Sequence, residues 1–206
     1  MNVPAATVVT EIEIPISERG PSPRKVIIGY GFWLFLLSDI IVFSALFAAY
    51  AVLSGRTAGG PSGVQLFHRQ TVLAETVCLL LSSFSCAMMS LAIELRRRGW
   101  MVAGALATFL LGAAFLVLEL GEFGAMIARG AGPDRSAFLS AFFALVGMHG
   151  LHVSIGLAWL VSMVAQVFTL GWRPMVMGRL ACFSLFWHAL DIVWIGVFTI
   201  VYLGAR

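Results

Sequence analysis

The chain has 206 residues, of which 60% are hydrophobic and 11% charged, with a formal net charge of +3 and a mean hydropathy of +0.97. Soluble domains carry about 25% charged residues, so this composition could not cover the surface of a water-soluble fold. The basic residues lie in short connections and form no patch, so the positive charge does not indicate a nucleic-acid partner. We therefore expect an integral membrane protein.

The apolar runs indicate helices and not a membrane β-barrel. A barrel strand has about ten residues of alternating polarity, whereas these runs exceed 20 residues without alternation. A continuous helix satisfies every backbone polar group within one segment, as the hydrocarbon requires. The predicted fold class is all-α, an integral membrane bundle of five transmembrane helices.

A polar tail precedes the first apolar segment. Residues 1–25 contain three glutamates and four prolines and are predicted to form an N-terminal tail. Residues 26–206 then form one five-helix domain, because about 20 residues suffice to cross the hydrocarbon. In chain order the predicted helices cover residues 26–53, 71–95, 100–128, 137–170 and 180–203.

The distribution of Lys and Arg predicts the orientation of the bundle. The tail, the connection after the second helix and the connection after the fourth carry eight basic residues, including the run Arg96, Arg97 and Arg98. The opposite side carries five. We expect the N-terminus to be cytoplasmic and the C-terminus to lie outside.

Small residues spaced four apart predict where helices approach each other closely, because burial in lipid does not by itself drive helices together. Such ridges occur on three of the helices. They are Ser82, Cys86 and Ser90 on the second helix, Gly104, Thr108 and Gly112 on the third, and Gly150, Ser154, Ala158 and Ser162 on the fourth. The cysteines Cys78, Cys86 and Cys182 lie in apolar runs without C-x-x-C spacing, which is typical of small hydrophobic residues and not of a zinc site.

Eight ionisable residues fall in or near the apolar segments, where a charged acid at a helix centre costs roughly 2.5–3.5 kcal/mol. They are therefore expected to face the interior of the bundle, to pair, or to lie near the interface. Three pairs are spaced three apart and so share a helix face. The eight are Asp39, Glu75, Glu119, Glu122, His149, His152, His188 and Asp191.

The spacing of these eight ionisable residues is compatible with several roles. Each pair could be a structural contact satisfied inside the bundle. A haem or metal site would use a histidine with a carboxylate, but His149 and His152 lie on one side of a single helix, whereas bis-histidine haem ligation needs opposite faces of the ring. Glu75, Glu119 and Glu122 could instead belong to a proton pathway. The remaining alternative is an accessory subunit whose polar interior holds lipid headgroups and a partner subunit.

Five segments resemble, in order, subunit III of bacterial haem-copper ubiquinol oxidases of the cytochrome bo type. They are "GFWLFLLSDIIVFSALFAAYAVL" (31–53), "ETVCLLLSS" (75–83), "FLVLELGEF" (115–123), "GPDRSAFLSAFFALVGMHGLHVSIGLAW" (132–159) and "FSLFWHALDIVWIGVFTIVYL" (183–203). The resemblance covers about residues 26–206. Many cytochrome c oxidase subunits III share these patterns but have seven helices, so a five-helix subunit of a cytochrome c oxidase is the second candidate.

The resemblance implies a place in a bacterial inner-membrane complex that oxidises ubiquinol, reduces oxygen to water and pumps protons. In that family two haems and copper belong to subunit I, and subunit III carries no redox centre. The implied partners of this chain are subunits I, II and IV and phospholipids held between its helices. The chain itself is then expected to have no catalytic residue, no metal ligand and no cofactor.

The family's motifs match this sequence at ten positions, which the resemblance implies are polar contacts within the bundle or contacts to lipid or partner. The family's H-G-x-H pair falls at His149 and His152, and its acidic pair at Glu119 and Glu122. Its W-H-x-x-D-x-x-W pattern is matched by Trp187, His188, Asp191 and Trp194. Its Glu-Thr motif is matched at Glu75, and its Ser-Asp motif at Asp39. The stretch "QLFHRQTVLA" (65–74) departs from the family by lacking acidic residues before the second helix, which weakens any proposal of proton entry there.

Overall fold

Five long helices make up the part of the chain that the structure describes. The computed structural model describes residues 24–59 and 69–204, so the predicted tail lies outside the described residues except for its last two. The helices are α1 (Arg24–Leu53), α2 (Arg69–Glu94), α3 (Arg98–Ala128), α4 (Ala137–Leu170) and α5 (Pro174–Val197), and α5 continues as a π-helical segment, Phe198–Leu203. All five are long and apolar enough to cross a membrane. The predicted all-α bundle of five transmembrane helices is confirmed, while its orientation stays a prediction.

Helices α2, α3, α4 and α5 form a closed ring, and α1 packs against the outside of this ring. Helix α2 packs against α3, α3 against α4, α4 against α5, and α5 back against α2. Helix α1 contacts α4 and α5 through a narrow seam of three buried side chains, Leu36, Phe43 and Tyr50. These three residues are spaced seven apart, which places them on one stripe of the helix. Most of the remaining surface of α1 is apolar and exposed.

The helix boundaries depart most from expectation at α5, which begins at Pro174 and not near residue 180. The stretch 171–179 contains two arginines and a proline, and these residues suggested a connection. Proline is nevertheless favoured in the first turn of a helix, where its missing N–H costs no hydrogen bond. The connection between α4 and α5 is therefore only three residues long, and α2 and α3 each begin two residues before their predicted starts.

The end of α3 and the start of α4 are each determined by a residue next to the helix terminus. Ser136 precedes the helix in extended conformation, and its hydroxyl accepts a hydrogen bond from the Leu139 N–H at 3.2 Å, which satisfies one unpaired donor of the first turn. The preceding helix, α3, ends where Gly130 takes a φ of 74°, a backbone conformation that glycine adopts without steric cost. These two residues fix where α3 stops and α4 starts.

The small-residue ridges of α2 and α3 meet at the α2–α3 interface. Ser82 donates a hydrogen bond to the Thr108 carbonyl oxygen at 3.2 Å. A Cβ placed on Gly104 would lie 3.0 Å from the Met89 Cβ and 3.1 Å from its backbone Cα. A Cβ on Gly112 would lie 3.0 Å from the Trp187 ring. The absence of side chains at these glycines is therefore what allows neighbouring helices to approach closely.

The prediction of a helix contact along the small-residue ridge of α4 is wrong within this chain. Ser154, Ala158 and Ser162 are exposed, and only Gly150 approaches another helix, at the Glu119 carboxyl group. The inward face of α4 instead carries the larger buried side chains of Leu145, His149, Val153, Leu157 and Leu160. Burying this bulkier face leaves the small residues on the outer surface.

Candidate functional site: the polar interior of the bundle

Two tryptophans of α5 hydrogen bond to hydroxyl groups of α2. The indole N–H of Trp187 donates to Ser82 Oγ at 3.0 Å, and that of Trp194 donates to Thr76 Oγ1 at 3.1 Å. All four residues are buried. An indole has one polar atom and needs a partner when it is buried, so these two bonds fix the register between α2 and α5 while the rings fill the core.

His188 and Asp191 of α5 also reach α2, through a single hydroxyl group. His188 Nδ1 lies 2.7 Å from Ser83 Oγ, and Asp191 interacts with the same hydroxyl and with His188. A serine hydroxyl has one donor and two acceptor positions, so it can accept from the imidazole and donate to the carboxyl group. The i, i+3 pair therefore presents both side chains to the neighbouring helix α2.

His149 is enclosed between α3 and α5. It has no exposed surface, and its Nε2 donates to the Leu190 carbonyl oxygen at 3.3 Å, because a carbonyl can only accept. The imidazole ring lies 5.5 Å from the Phe115 ring and 5.1 Å from the Trp194 ring, between ring centroids. The imidazole ring is therefore packed between aromatic side chains and held by one backbone carbonyl.

His152 contacts α1 as well as α5, although it is only three residues from His149: its ring centroid lies 5.2 Å from that of Phe43 on α1 and 6.4 Å from that of Phe186 on α5. Its Nδ1 donates to the Met148 carbonyl oxygen at 2.8 Å, and its Nε2 lies 3.7 Å from Asp39 Oδ1. Residues three apart are turned by about 60° from each other around a helix axis. That angle is enough for the two histidines to contact different neighbours, and His152 links α4 to α1.

Glu75, Glu119 and Glu122 lie together in the interior between α2 and α3, with at most 7% of each residue exposed. Glu119 interacts electrostatically with both of the other carboxyl groups, as does Glu75 with Glu122. The Tyr202 hydroxyl donates to Glu122 Oε2 at 3.4 Å. Among the described residues, neither carboxyl oxygen of Glu75 or of Glu119 has a hydrogen-bond partner. We call these three residues the carboxyl cluster.

The polar interior does not fit a metal ion. Within residues 24–59 and 69–204, no group of three or more His, Cys, Asp or Glu side chains is arranged to hold one. One nitrogen of each histidine that the family motifs matched bonds to a protein group, at Leu190, Met148 or Ser83. These contacts join α5 to α2 and to α4, and α4 to α1.

Several residues of this interior were not expected from the sequence. Thr76, Ser83 and Tyr202 supply hydrogen bonds to Trp194, His188 and Glu122. Thr76 and Ser83 are common residue types in membrane helices, and only their spacing of seven, which places them on one stripe of α2, indicates a shared direction. Tyr202 gave no signal, because a tyrosine near the end of a helix is also typical of a membrane interface.

The comparison with known families agrees with this architecture. The family model described as cytochrome c oxidase subunit III matches residues 19–205, nearly the whole chain. The chain belongs to the cytochrome c oxidase subunit III family. Its members at high identity include the cytochrome bo(3) ubiquinol oxidase subunit 3 of Pseudomonas aeruginosa, which is 53% identical over 84% of this chain and 83% of that protein.

Two further subunit III relatives have lower identities. The cytochrome bo(3) ubiquinol oxidase subunit 3 of Buchnera aphidicola subsp. Baizongia pistaciae is 44% identical over 84% of this chain and 89% of that protein. The quinol oxidase subunit 3 of Bacillus subtilis is 43% identical over 84% of this chain and 85% of that protein. In each comparison, the similarity therefore extends over most of the length of both proteins.

Proposed function

We propose that this chain is the accessory, non-redox subunit III of a proton-pumping ubiquinol oxidase in a bacterial inner membrane. The observation that carries the proposal is its extensive identity with subunits 3 of cytochrome bo(3) ubiquinol oxidases, up to 53%. The five apolar helices suit a multi-pass position in the membrane. Haem, copper and oxygen chemistry would then belong to subunit I, as the family implies.

The bundle's role is to hold a fixed shape against subunit I and phospholipid, with subunits II and IV as the other members of the complex. Hydrogen bonds from Trp187, Trp194 and His188 of α5 to α2 keep the ring closed. Apolar side chains on the outside of all five helices remain exposed, and these surfaces are available to lipid tails and to neighbouring subunits. Rigid internal bonds combined with apolar outer faces suit a subunit that supports an assembly.

The test is purification of the complex through a tag on this chain in mild detergent. We expect co-purification of a larger haem-containing polypeptide, phospholipid and an activity that oxidises ubiquinol and consumes oxygen. A preparation that contains this chain alone, without haem and without oxidase activity, would contradict the proposal.

The electron donor that the complex oxidises distinguishes the two candidate oxidases. The same preparation should oxidise ubiquinol and leave reduced cytochrome c unchanged, because the relatives with the highest identities given above are named as ubiquinol oxidase subunits. Oxidation of cytochrome c without oxidation of ubiquinol would instead assign the chain to a cytochrome c oxidase of five-helix type.

A further inference from the structure

The outer surface of α5 beside α2 carries a partly exposed histidine at the middle of the membrane span. His188 lies between the exposed side chains of Leu185 and Ile192, and residues three and four apart share a helix face. It follows Pro174 by 14 residues and precedes Leu203 by 15, so it is about 21 Å from the ends of this span at 1.5 Å per residue. We call the surface made by Leu185, His188 and Ile192 the α2–α5 face.

His188, Ser83 and Asp191 form a hydrogen-bonded group that has too few donors. The Ser83 hydroxyl lies 2.7 Å from His188 Nδ1 and also interacts with Asp191. A hydroxyl has one proton, so if it donates to the Asp191 carboxyl group, the contact with His188 uses the Nδ1 proton. The other nitrogen of a neutral imidazole, Nε2, is then an acceptor. Within the described residues, no group donates to His188 Nε2 or to Asp191 Oδ1.

Another histidine near the middle of a helix, His152 of α4, shows how such a group is completed. Its Nδ1 donates to the Met148 carbonyl oxygen, and its Nε2 approaches Asp39 Oδ1 at 3.7 Å. Asp39 belongs to α1, which packs outside the ring against α4 and α5. Helix α1 therefore covers His152 and supplies a polar partner. Among residues 24–59 and 69–204, no second helix lies outside the ring to do the same for His188.

Lipid cannot supply the donor that His188 lacks. Acyl chains have no N–H or O–H group, and the headgroups begin roughly 15 Å from the middle of a hydrocarbon layer that is about 30 Å thick. Ionisable side chains within membrane spans face protein or a water-filled cavity and pair with other groups. A further helix can provide such a pair, because polar side chains hydrogen bond across packed membrane helices.

We propose that a transmembrane helix of another subunit docks on the α2–α5 face and donates a hydrogen bond to His188 Nε2 from an uncharged polar side chain. This inference rests on the proposed membership of an oxidase complex, and it names the face by which the chain joins that complex. A hydroxyl, amide or indole group fits, since each has an O–H or N–H donor without a charge that would be costly at this depth. Leu185 and Ile192 supply apolar contacts one turn to either side.

Photo-crosslinking in the intact complex tests the docking surface. The variant Ile192→p-benzoylphenylalanine places a probe on the α2–α5 face, and Val117→p-benzoylphenylalanine, on α3, is the control. The two positions are 73% and 71% exposed and follow the starts of their helices by 18 and 19 residues, so they match in exposure and depth. Helices α3 and α5 are not neighbours in the ring, since each packs between α2 and α4.

We expect the Ile192 probe to join this chain to another polypeptide of the complex with a yield several times that of the Val117 probe. Mass spectrometry of the product identifies the partner helix. Cross-links from Ile192 only to phospholipid, or to a second copy of this chain, would overturn the proposal. Co-purification of the haem-containing polypeptide would then still support the proposed function, whereas a chain that purifies alone would contradict both.

The hydrogen bond itself is tested with two amides at position 188. In His188→Gln the amide reaches toward the place of Nε2, whereas in His188→Asn it matches Nδ1 and keeps the contact with Ser83. Retention of this chain in the purified complex is measured as detergent concentration rises. We expect His188→Gln to be retained at detergent concentrations that release His188→Asn. The opposite order, which a contact with Ser83 alone would produce, or equal retention of the two variants would overturn the proposal.

Discussion

The close approach of α2 and α3 at Gly104 gives a prediction with a calculable size. In Gly104→Ala, the new methyl group would lie 3.0 Å from the Met89 Cβ and 3.1 Å from the Met89 backbone Cα and N. A backbone cannot rotate away as a side chain can, so the two helices must separate. That separation also strains the Ser82–Thr108 hydrogen bond of 3.2 Å, one turn further along α3.

The cost of such overpacking is about 1–3 kcal/mol. Replacing glycine by alanine also raises helix propensity, by up to about 1 kcal/mol, so a control must remove that contribution. Gly124→Ala is suitable because it lies on the same helix and its Cβ would meet nothing within 4 Å. The difference in the free energy of unfolding between the two variants is therefore expected to be about 1–3 kcal/mol, with Gly104→Ala the less stable.

The assay is reversible unfolding of the chain in mixed micelles, titrated with a denaturing detergent and followed by tryptophan fluorescence. Trp187 and Trp194 are buried in the core and report on loss of packing. Equal stability of the two variants, or greater stability of Gly104→Ala, would show that the α2–α3 contact is looser than the structure implies and would refute the reasoning.

Three further predictions concern single hydrogen bonds. Thr76→Val should lower the free energy of unfolding by about 0.6 to 1.7 kcal/mol, because it leaves the Trp194 N–H unpaired, and the same detergent titration would detect it; an unchanged midpoint would contradict it. Ser136→Ala should cost about 0.5–2 kcal/mol through loss of the cap on α4, and a stability equal to that of the unmodified chain would show that the Leu139 N–H finds another partner. His188→Leu should weaken retention of this subunit in the purified complex more than it alters the haem spectrum, and loss of haem signal at intact subunit stoichiometry would count against a structural role.

The number and type of the helices could be predicted because the hydrocarbon imposes a simple requirement on the sequence. Each crossing needs a long apolar run, and the runs are separated by short polar stretches in this chain. The start of α5 at Pro174 was missed because arginine and proline residues are typical of connections as well as of first helical turns. Local sequence does not separate these two uses of proline.

The partners of the buried polar residues could not be predicted, because spacing fixes a direction relative to one helix only. His149 and His152 share a face of α4, and yet His149 contacts α3 and α5 whereas His152 contacts α1 and α5. The small-residue ridge of α4 was misjudged for the same reason, since its neighbours depend on how four other helices are arranged. The carboxyl cluster was anticipated only as a set of acids with several open roles. That these acids lie together depends on how α2 packs against α3.

This chain is expected to carry no redox centre, and its buried polar groups to join its helices. The most direct measurement is the haem, iron and copper content of this chain after it has been separated from its complex in detergent. We predict no haem absorption and no stoichiometric iron or copper in the separated chain, with all of the haem remaining in the other polypeptides. Stoichiometric haem or metal bound to this chain, lost on replacing His149 or His152, would contradict the account.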